Sequence, residues 1–206
     1  MRQVNLEKLF KPFVSKDDLK PALVGVWYDK ENNKLAGCDG HRGFILGKVS
    51  DQLVIEGPNC ILPVEIFTEY MKRAKGHSLD YCNEYIKLVV NDNFVELQQR
   101  ASENKPFKTF YGADCINENY PDIYSVVPAR SEYEDTSPSK FGVNPKYMGE
   151  IWAAIKPSVD KYHFPVIHIT SGHSYYKPLI LDFPALDEDS ISYDCFLMPV
   201  NTEMTK

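Results

Sequence analysis

The stretch Asn59 to Gly76, NCILPVEIFTEYMKRAKG, reads as an extended run followed at once by an amphipathic helix. Asn59 to Leu62 is extended, Pro63 suits a first helical turn, and Phe67, Tyr70, Met71 and Ala74 share one face before Gly76 stops the helix. Lys72, Arg73 and Lys75 crowd its end.

The same order recurs on both sides. Upstream, Arg2 to Val4 leads to Asn5 as an N-cap, and Leu6, Leu9, Phe10 and Phe13 form a stripe from which Lys8 and Lys11 point away. Downstream, Phe141 to Val143 leads to Asn144 as cap and Pro145 as the first helical residue. There Tyr147, Met148, Ile151, Trp152 and Ile155 face one way until Pro157, with Lys146, Glu150 and Lys156 off that face. Strand-like runs follow each helix. They are residues 22–29, 34–38 and 43–49, then 85–90, 94–100 and 107–111, then 165–170, 174–176, 179–182 and 191–198. Lys30-Glu31-Asn32-Asn33, Asn91-Asp92-Asn93 and Ser171-Gly172 supply hairpin turns.

The chain therefore reads as three βαβββ units, an α+β fold of antiparallel sheets with the helices on one face and no helix joining parallel strands. The acidic run Ser131–Ser139, SEYEDTSPS, reads as a linker. It separates a complete two-unit domain, residues 1–130, from a single unit, residues 140–206.

Lys and Arg number 23 against 29 Asp and Glu, a net charge of −6, so nucleic-acid contact has to be local rather than a property of the whole surface. With 206 residues, 43% of them hydrophobic, the chain can fill a core. It has no apolar run long enough to span a membrane and no secretory h-region after Met1, which predicts a cytoplasmic protein without membrane partners. Cys38, Cys60, Cys82, Cys115 and Cys195 are odd in number and lack a CxxC pair, so they read as buried thiols rather than disulfides or a zinc site.

Enzyme motifs are missing: no phosphate loop, no nucleophile elbow, no HExxH and no dinucleotide fingerprint. Cys38 with His41 as nucleophile and base, or His168 with His173 as metal ligands, each lack a third partner. No catalytic residue, metal or cofactor is expected. Tyr162, Phe164, Tyr175 and Tyr176 fit a strand core, with base stacking as the alternative. From turn chemistry alone, Asp39-Gly40 is a tight turn and His41 a surface histidine. Composition alone makes the helix lysines a solvated face.

Four segments, in order, carry a resemblance. Cys38-Asp39-Gly40-His41-Arg42 resembles the TDGHR signature of the bacterial sliding clamp, the DNA polymerase III β subunit. Asn119 to Pro128, NYPDIYSVVP, resembles that family's FPDY…VLP segment. Asn144-Pro145-Lys146-Tyr147-Met148 is similar to its N-x-x-Y-L helix, and Phe196-Leu197-Met198-Pro199-Val200 resembles its closing MPM/MPV signature. On this resemblance residues 1–130 look like the clamp's middle domain and 140–206 like the second half of its last, with the first domain and a further half domain lacking.

The resemblance implies a non-enzymatic DNA replication processivity factor. It would encircle or cradle duplex DNA and hold a polymerase or other client by a hydrophobic peptide pocket. The pocket residues it implies are Cys38, Gly40, His41, Arg42, Gly43, Pro121, Ser125, Val126, Phe196, Met198, Pro199 and Val200, with His41 and Arg42 at the rim. Gly43 stands where the family has leucine and Ser125 where it often has arginine, which predicts a shallower and less basic pocket. Lys8, Lys11, Lys72, Arg73, Lys75, Lys146 and Lys156 would face phosphates without reading bases, weakened by Glu65, Glu69 and Glu150 on the same surfaces. A ring requires a homo-oligomer, for which the lone third unit of two chains could pair about a two-fold axis. The competing reading is an interaction module that keeps the pocket, regulates a replisome and never encircles DNA.

Overall fold

The computed structural model describes residues 4–127, 143–156, 166–169, 178–182 and 193–198. Helix α1 is Leu6–Phe10; strands β1 (Gly25–Asp29), β2 (Lys34–Cys38), β3 (Arg42–Leu46), β4 (Val54–Glu56) and β5 (Cys60–Pro63) follow. Helices α2 (Glu65–Ala74) and α3 (Leu79–Tyr85) precede β6 (Ile86–Asn91), β7 (Phe94–Gln99) and β8 (Lys108–Asp114). Helix α4 (Pro145–Ile155) precedes β9 (Val166–Ile169), β10 (Leu179–Asp182) and β11 (Tyr193–Leu197).

Local chemistry sets the helix starts. The Asn5 side chain accepts from the Lys8 N–H at 3.0 Å and the Asn144 side chain from the Lys146 N–H at 3.0 Å, each taking up an otherwise orphaned amide. Pro12 tightens the end of α1 into a 3-10 turn, Lys11–Phe13, that still buries Phe13. Helix α2 ends just before Gly76, whose φ of +85° suits a residue without a Cβ. Pro63 does not open α2 as expected. It closes β5, an edge strand, where a missing N–H is tolerated.

Each unit's three strands run as an antiparallel meander: β1-β2-β3, β6-β7-β8 and β9-β10-β11. The sheets are assembled by exchange between units. Strand β5, which leads into α2, pairs with β1 of the preceding unit, and β11 pairs with β3. The result is a seven-stranded sheet in the order β5-β1-β2-β3-β11-β10-β9 and a four-stranded sheet in the order β4-β6-β7-β8. Two elements depart from expectation. Strand β4 pairs in parallel with β6, Val54 opposite Lys87, and α2 and α3 lie in the connection, so one parallel pair is joined through helices. Helix α3, capped by the Ser78 side chain, occupies what reads in sequence as the approach to a strand.

Helices α1, α2 and α4 share one hydrophobic core against the sheets. Phe10 stacks on Phe67 at 5.7 Å and meets Phe44 edge-on at 5.9 Å, while Phe13 lies 5.3 Å from Phe44. A smaller cluster covers the opposite face of the seven-stranded sheet: Ala36, Ile45, Ile180 and Phe196, sealed by Ile123 from the segment after β8. Among the described residues no helix is long and apolar enough to cross a membrane. The proposed linker, residues 131–139, lies outside the described residues, as do Tyr162, Phe164, His173, Tyr175 and Tyr176.

Candidate functional site

The turn between β2 and β3 is folded by one carboxylate. Asp39 Oδ1 accepts from the backbone N–H groups of His41 and Arg42 at 2.9 and 3.0 Å, and Gly40 takes φ +91°. Asp39 Oδ2 receives Arg42 Nε at 3.0 Å, so the same residue that makes the turn aims the arginine. Met198, just past β11, donates its N–H to the His41 carbonyl at 2.7 Å and ties the two units together at this turn.

Period-two alternation divides β3 between the sheet faces. Phe44 and Leu46 join the helix-side core, Ile45 joins the outer cluster, and Arg42 follows the former parity. Arg42 therefore does not sit at a rim. It is buried, pairs with Glu150 of α4 at 2.6 Å as well as with Asp39, and lies 4.5 Å over the Tyr147 ring and 5.8 Å from Phe13. Gly43 faces the other way, beneath Phe196. A Cβ built on Gly43 would come within 2.2 Å of that ring.

On the outer face the segment 120–127 straps β1 and β2. Tyr120 stacks on Trp27 at 5.8 Å and donates to the Ala36 carbonyl at 3.3 Å. Tyr124 donates to Asp29 Oδ2 at 2.8 Å and carries Lys34 4.8 Å over its ring. Asp122 Oδ1 accepts from the N–H groups of Tyr124 and Ser125, closing a 3-10 turn at Tyr124–Val126. Burial pushes the Tyr120 hydroxyl up in pKa, and burial together with the Asp29 carboxylate does the same to Tyr124. Burial works against ionised Asp29, but hydrogen bonds from Asn32 and Tyr124 and the Lys34 charge outweigh it and hold that carboxyl below its ordinary range.

Of the pocket residues expected from sequence, Cys38 and Phe196 share the outer cluster with this strap, and Gly43 lies under Phe196. Gly40, His41, Pro121 and Ser125 are exposed, Val126 is 37% exposed and Met198 is half-buried. Pro199 and Val200 lie outside the described residues. Phe196 itself is sealed in, so what the outer face offers is a surface beside its ring rather than a socket in its place. The Cys38 thiol accepts from the Gly40 N–H at 3.3 Å, and burial pushes its pKa up, which disfavours the thiolate a nucleophile needs.

Tyr147 packs against the main core with the apolar stripe of its helix, and its ring also stacks on His41 at 5.8 Å and supports Arg42. Beside it opens a cleft of about 650 Å³, between the end of α1, residues 14–20, the 39–42 turn and the start of α4. Lys11, Lys16, Lys20, His41 and Lys146 line it, opposed by Asp17, Asp39 and Glu150. The clue in sequence is the pair Lys16 and Lys20, both just before the 3-10 turn Pro21–Leu23.

The helix cations divide. Lys8, Lys11, Lys72, Lys75, Lys146 and Lys156 are exposed. Lys11 lies 3.9 Å from Glu7, Lys72 2.6 Å from Glu69 and Lys146 4.0 Å from Glu150. Such exposed pairs contribute about 0–1 kcal/mol, so each lysine is easily released to another anion. Arg73 differs: it is half-buried, donates to Gln99 at 3.3 Å and packs 4.0 Å over Phe110, turned toward the four-stranded sheet. Among the described residues no three His, Cys, Asp or Glu side chains group to hold a metal ion.

No protein-family profile matches the chain, and no curated protein matches it. Solved structures do. The DNA polymerase III β subunit of Borrelia burgdorferi, in complex with a natural product, aligns over 98% of this chain with a TM-score of 0.64 and 18% identity. The DNA polymerase sliding clamps of Caulobacter crescentus (TM-score 0.64, 14% identity) and Bacillus subtilis (0.60, 15%) each align over 96% of it. The chain spans 63%, 64% and 62% of those three chains. The repeated helix-and-meander architecture is thus the sliding-clamp fold.

Proposed function

We propose that the chain uses this fold as a clamp does, as a non-enzymatic processivity factor that encircles or cradles duplex DNA and tethers a polymerase or another client. The supporting observation is the placement of α1, α2 and α4 together in one core against the sheets, with Lys8, Lys72 and Lys146 exposed on them and Lys11, Lys75 and Lys156 exposed just past their ends. Phosphates reached by such lysines are held without regard to sequence, which is what a sliding contact requires. The acidic remainder of the surface disfavours DNA elsewhere. Tethering then raises the client's local concentration with no chemistry by the chain itself.

In this reading residues 1–130 act as one domain and 140–206 as a half domain, and a ring needs several copies. A client peptide would lie across the 39–42 turn, an apolar residue against Met198 and Val126 on the surface beside the Phe196 ring, and an acidic flank toward the basic cleft. The test is retention on closed circular duplex against linear duplex in high salt, with the absolute mass in solution measured by light scattering. Retention on the circle only, with a mass of three or four chains, is expected. Equal loss from both DNAs would overturn encirclement.

One observation favours the interaction-module reading. Three of the helix lysines are paired with carboxylates on their own helices, which weakens the field that DNA would meet. A monomer or dimer that binds client peptide with no salt-dependent DNA association would support it.

A further inference from the structure

Helix α3 and the residues that lead into it carry a column of aromatic rings that the clamp reading leaves unused. His77, Tyr81 and Tyr85 stand four residues apart, and their rings stack face to face: His77 on Tyr81 at 4.0 Å and 17°, Tyr81 on Tyr85 at 4.6 Å and 24°. The rings stack as Phe10 does on Phe67, in contrast to the edge-on contact of Phe10 with Phe44. Leu79 and Cys82 bury α3, and Tyr81 and Tyr85 are half-buried against the same core, which leaves part of each ring exposed.

The column is closed at one end and open at the other. Arg100 lies 5.4 Å over Tyr85 and 5.1 Å over Phe107, and Lys87 lies 4.5 Å over Phe107, so cations cap the inner end. At the outer end His77 is exposed, and next to it Gly76 turns the chain at φ +85° with nothing within 4 Å of where a Cβ would stand. Lys72 and Lys75, both exposed, precede it on and just after α2. Asp80 and Glu84 are exposed on α3 and Lys72 is paired with Glu69 at 2.6 Å, so a phosphate at Lys72 would displace an exposed ion pair of small worth.

We infer that His77 and Tyr81 form a stacking platform for unpaired nucleobases, with Lys72 and Lys75 taking the adjoining phosphates. A π face at the end of a column beside flexible cations is the arrangement that holds single strands without sequence preference. In the proposed DNA role α2 faces the duplex and α3 is the next element of the chain, so the platform would serve a single strand leaving that duplex. The inference rests on the proposed DNA role only for that relation to the duplex.

The test is fluorescence anisotropy with a labelled oligothymidine and, separately, a blunt duplex of equal length. The full chain should bind oligothymidine, and the His77→Ala/Tyr81→Ala double variant should bind it about tenfold or more weakly, with duplex binding unchanged. His77→Phe/Tyr81→Phe keeps the rings and should retain most of the affinity, which separates stacking from misfolding. Full oligothymidine binding by the double alanine variant, or none by the unaltered chain, overturns the platform. Retention on circular duplex is a separate readout, so either proposal can fail alone.

Discussion

Phe196 and Gly43 are directly opposite partners in the β3–β11 ladder, and the Phe196 ring occupies the space that any side chain at Gly43 would claim. A large residue on one unit is thus matched to the smallest on another. Replacing Gly43 by leucine should destabilise the fold by about 1–3 kcal/mol through overpacking. Pairing it with Phe196→Ala should recover a good part of that loss. Thermal unfolding of the two single variants and the double would read the coupling, and strict additivity would contradict the packing described here.

Arg42 joins β3 to α4 through Glu150 and to its own turn through Asp39. Arg42→Ala should cost about 2–3 kcal/mol, from lost packing on Tyr147 and Phe13 and from leaving Asp39 unpaired. Glu150→Gln should cost less than about 1 kcal/mol, because Glu150 is 38% exposed and its pair is screened by water. Chemical denaturation at low and high salt distinguishes the two contributions.

The Tyr124–Asp29 hydrogen bond has a pH signature. Asp29 is held below its usual range, so its contribution to stability is present above the unfolded carboxyl value, about 3.9, and is lost as pH falls through the lower folded value. Tyr124→Phe should cost about 1 kcal/mol at neutral pH. The gap from the unaltered chain should narrow in acid below about pH 4, which unfolding curves at several pH values would reveal.

Thiol chemistry should single out one cysteine. Cys60, Cys82, Cys115 and Cys195 are buried and Cys38 only partly so. A thiol reagent should therefore titrate about one equivalent in the native state, slowly at neutral pH because burial raises the Cys38 pKa, and faster in alkali. Cys38→Ser should abolish the native reaction and leave DNA binding unchanged.

Much of this architecture was readable because its causes are local. Asn5 and Asn144 cap helices through bonds spanning two or three residues, and the meanders β1-β2-β3 and β6-β7-β8 follow turns that sequence marks plainly. Strand β4 was not readable, since three residues show no period and its partner β6 lies beyond two helices. Helix α3 hid behind strand-like aromatic residues, with Ser78 as its only overt start signal. Arg42 could have been placed: in Arg42-Gly43-Phe44-Ile45-Leu46 alternation puts it on the face of Phe44 and Leu46. The fit of Phe196 to Gly43 could not, because it depends on a register between strands at opposite ends of the chain.

That register also has a consequence during synthesis. Every residue of β3 is buried once β11 lies beside it, but β11 emerges from the ribosome long after β3 does. Until then the sequence Arg42-Gly43-Phe44-Ile45-Leu46 is an open, largely apolar sheet edge, the kind that recruits stray strands. All of the chain between Leu46 and Tyr193 is made in that condition, an interval in which the open β3 edge needs a shielding that the finished fold no longer requires.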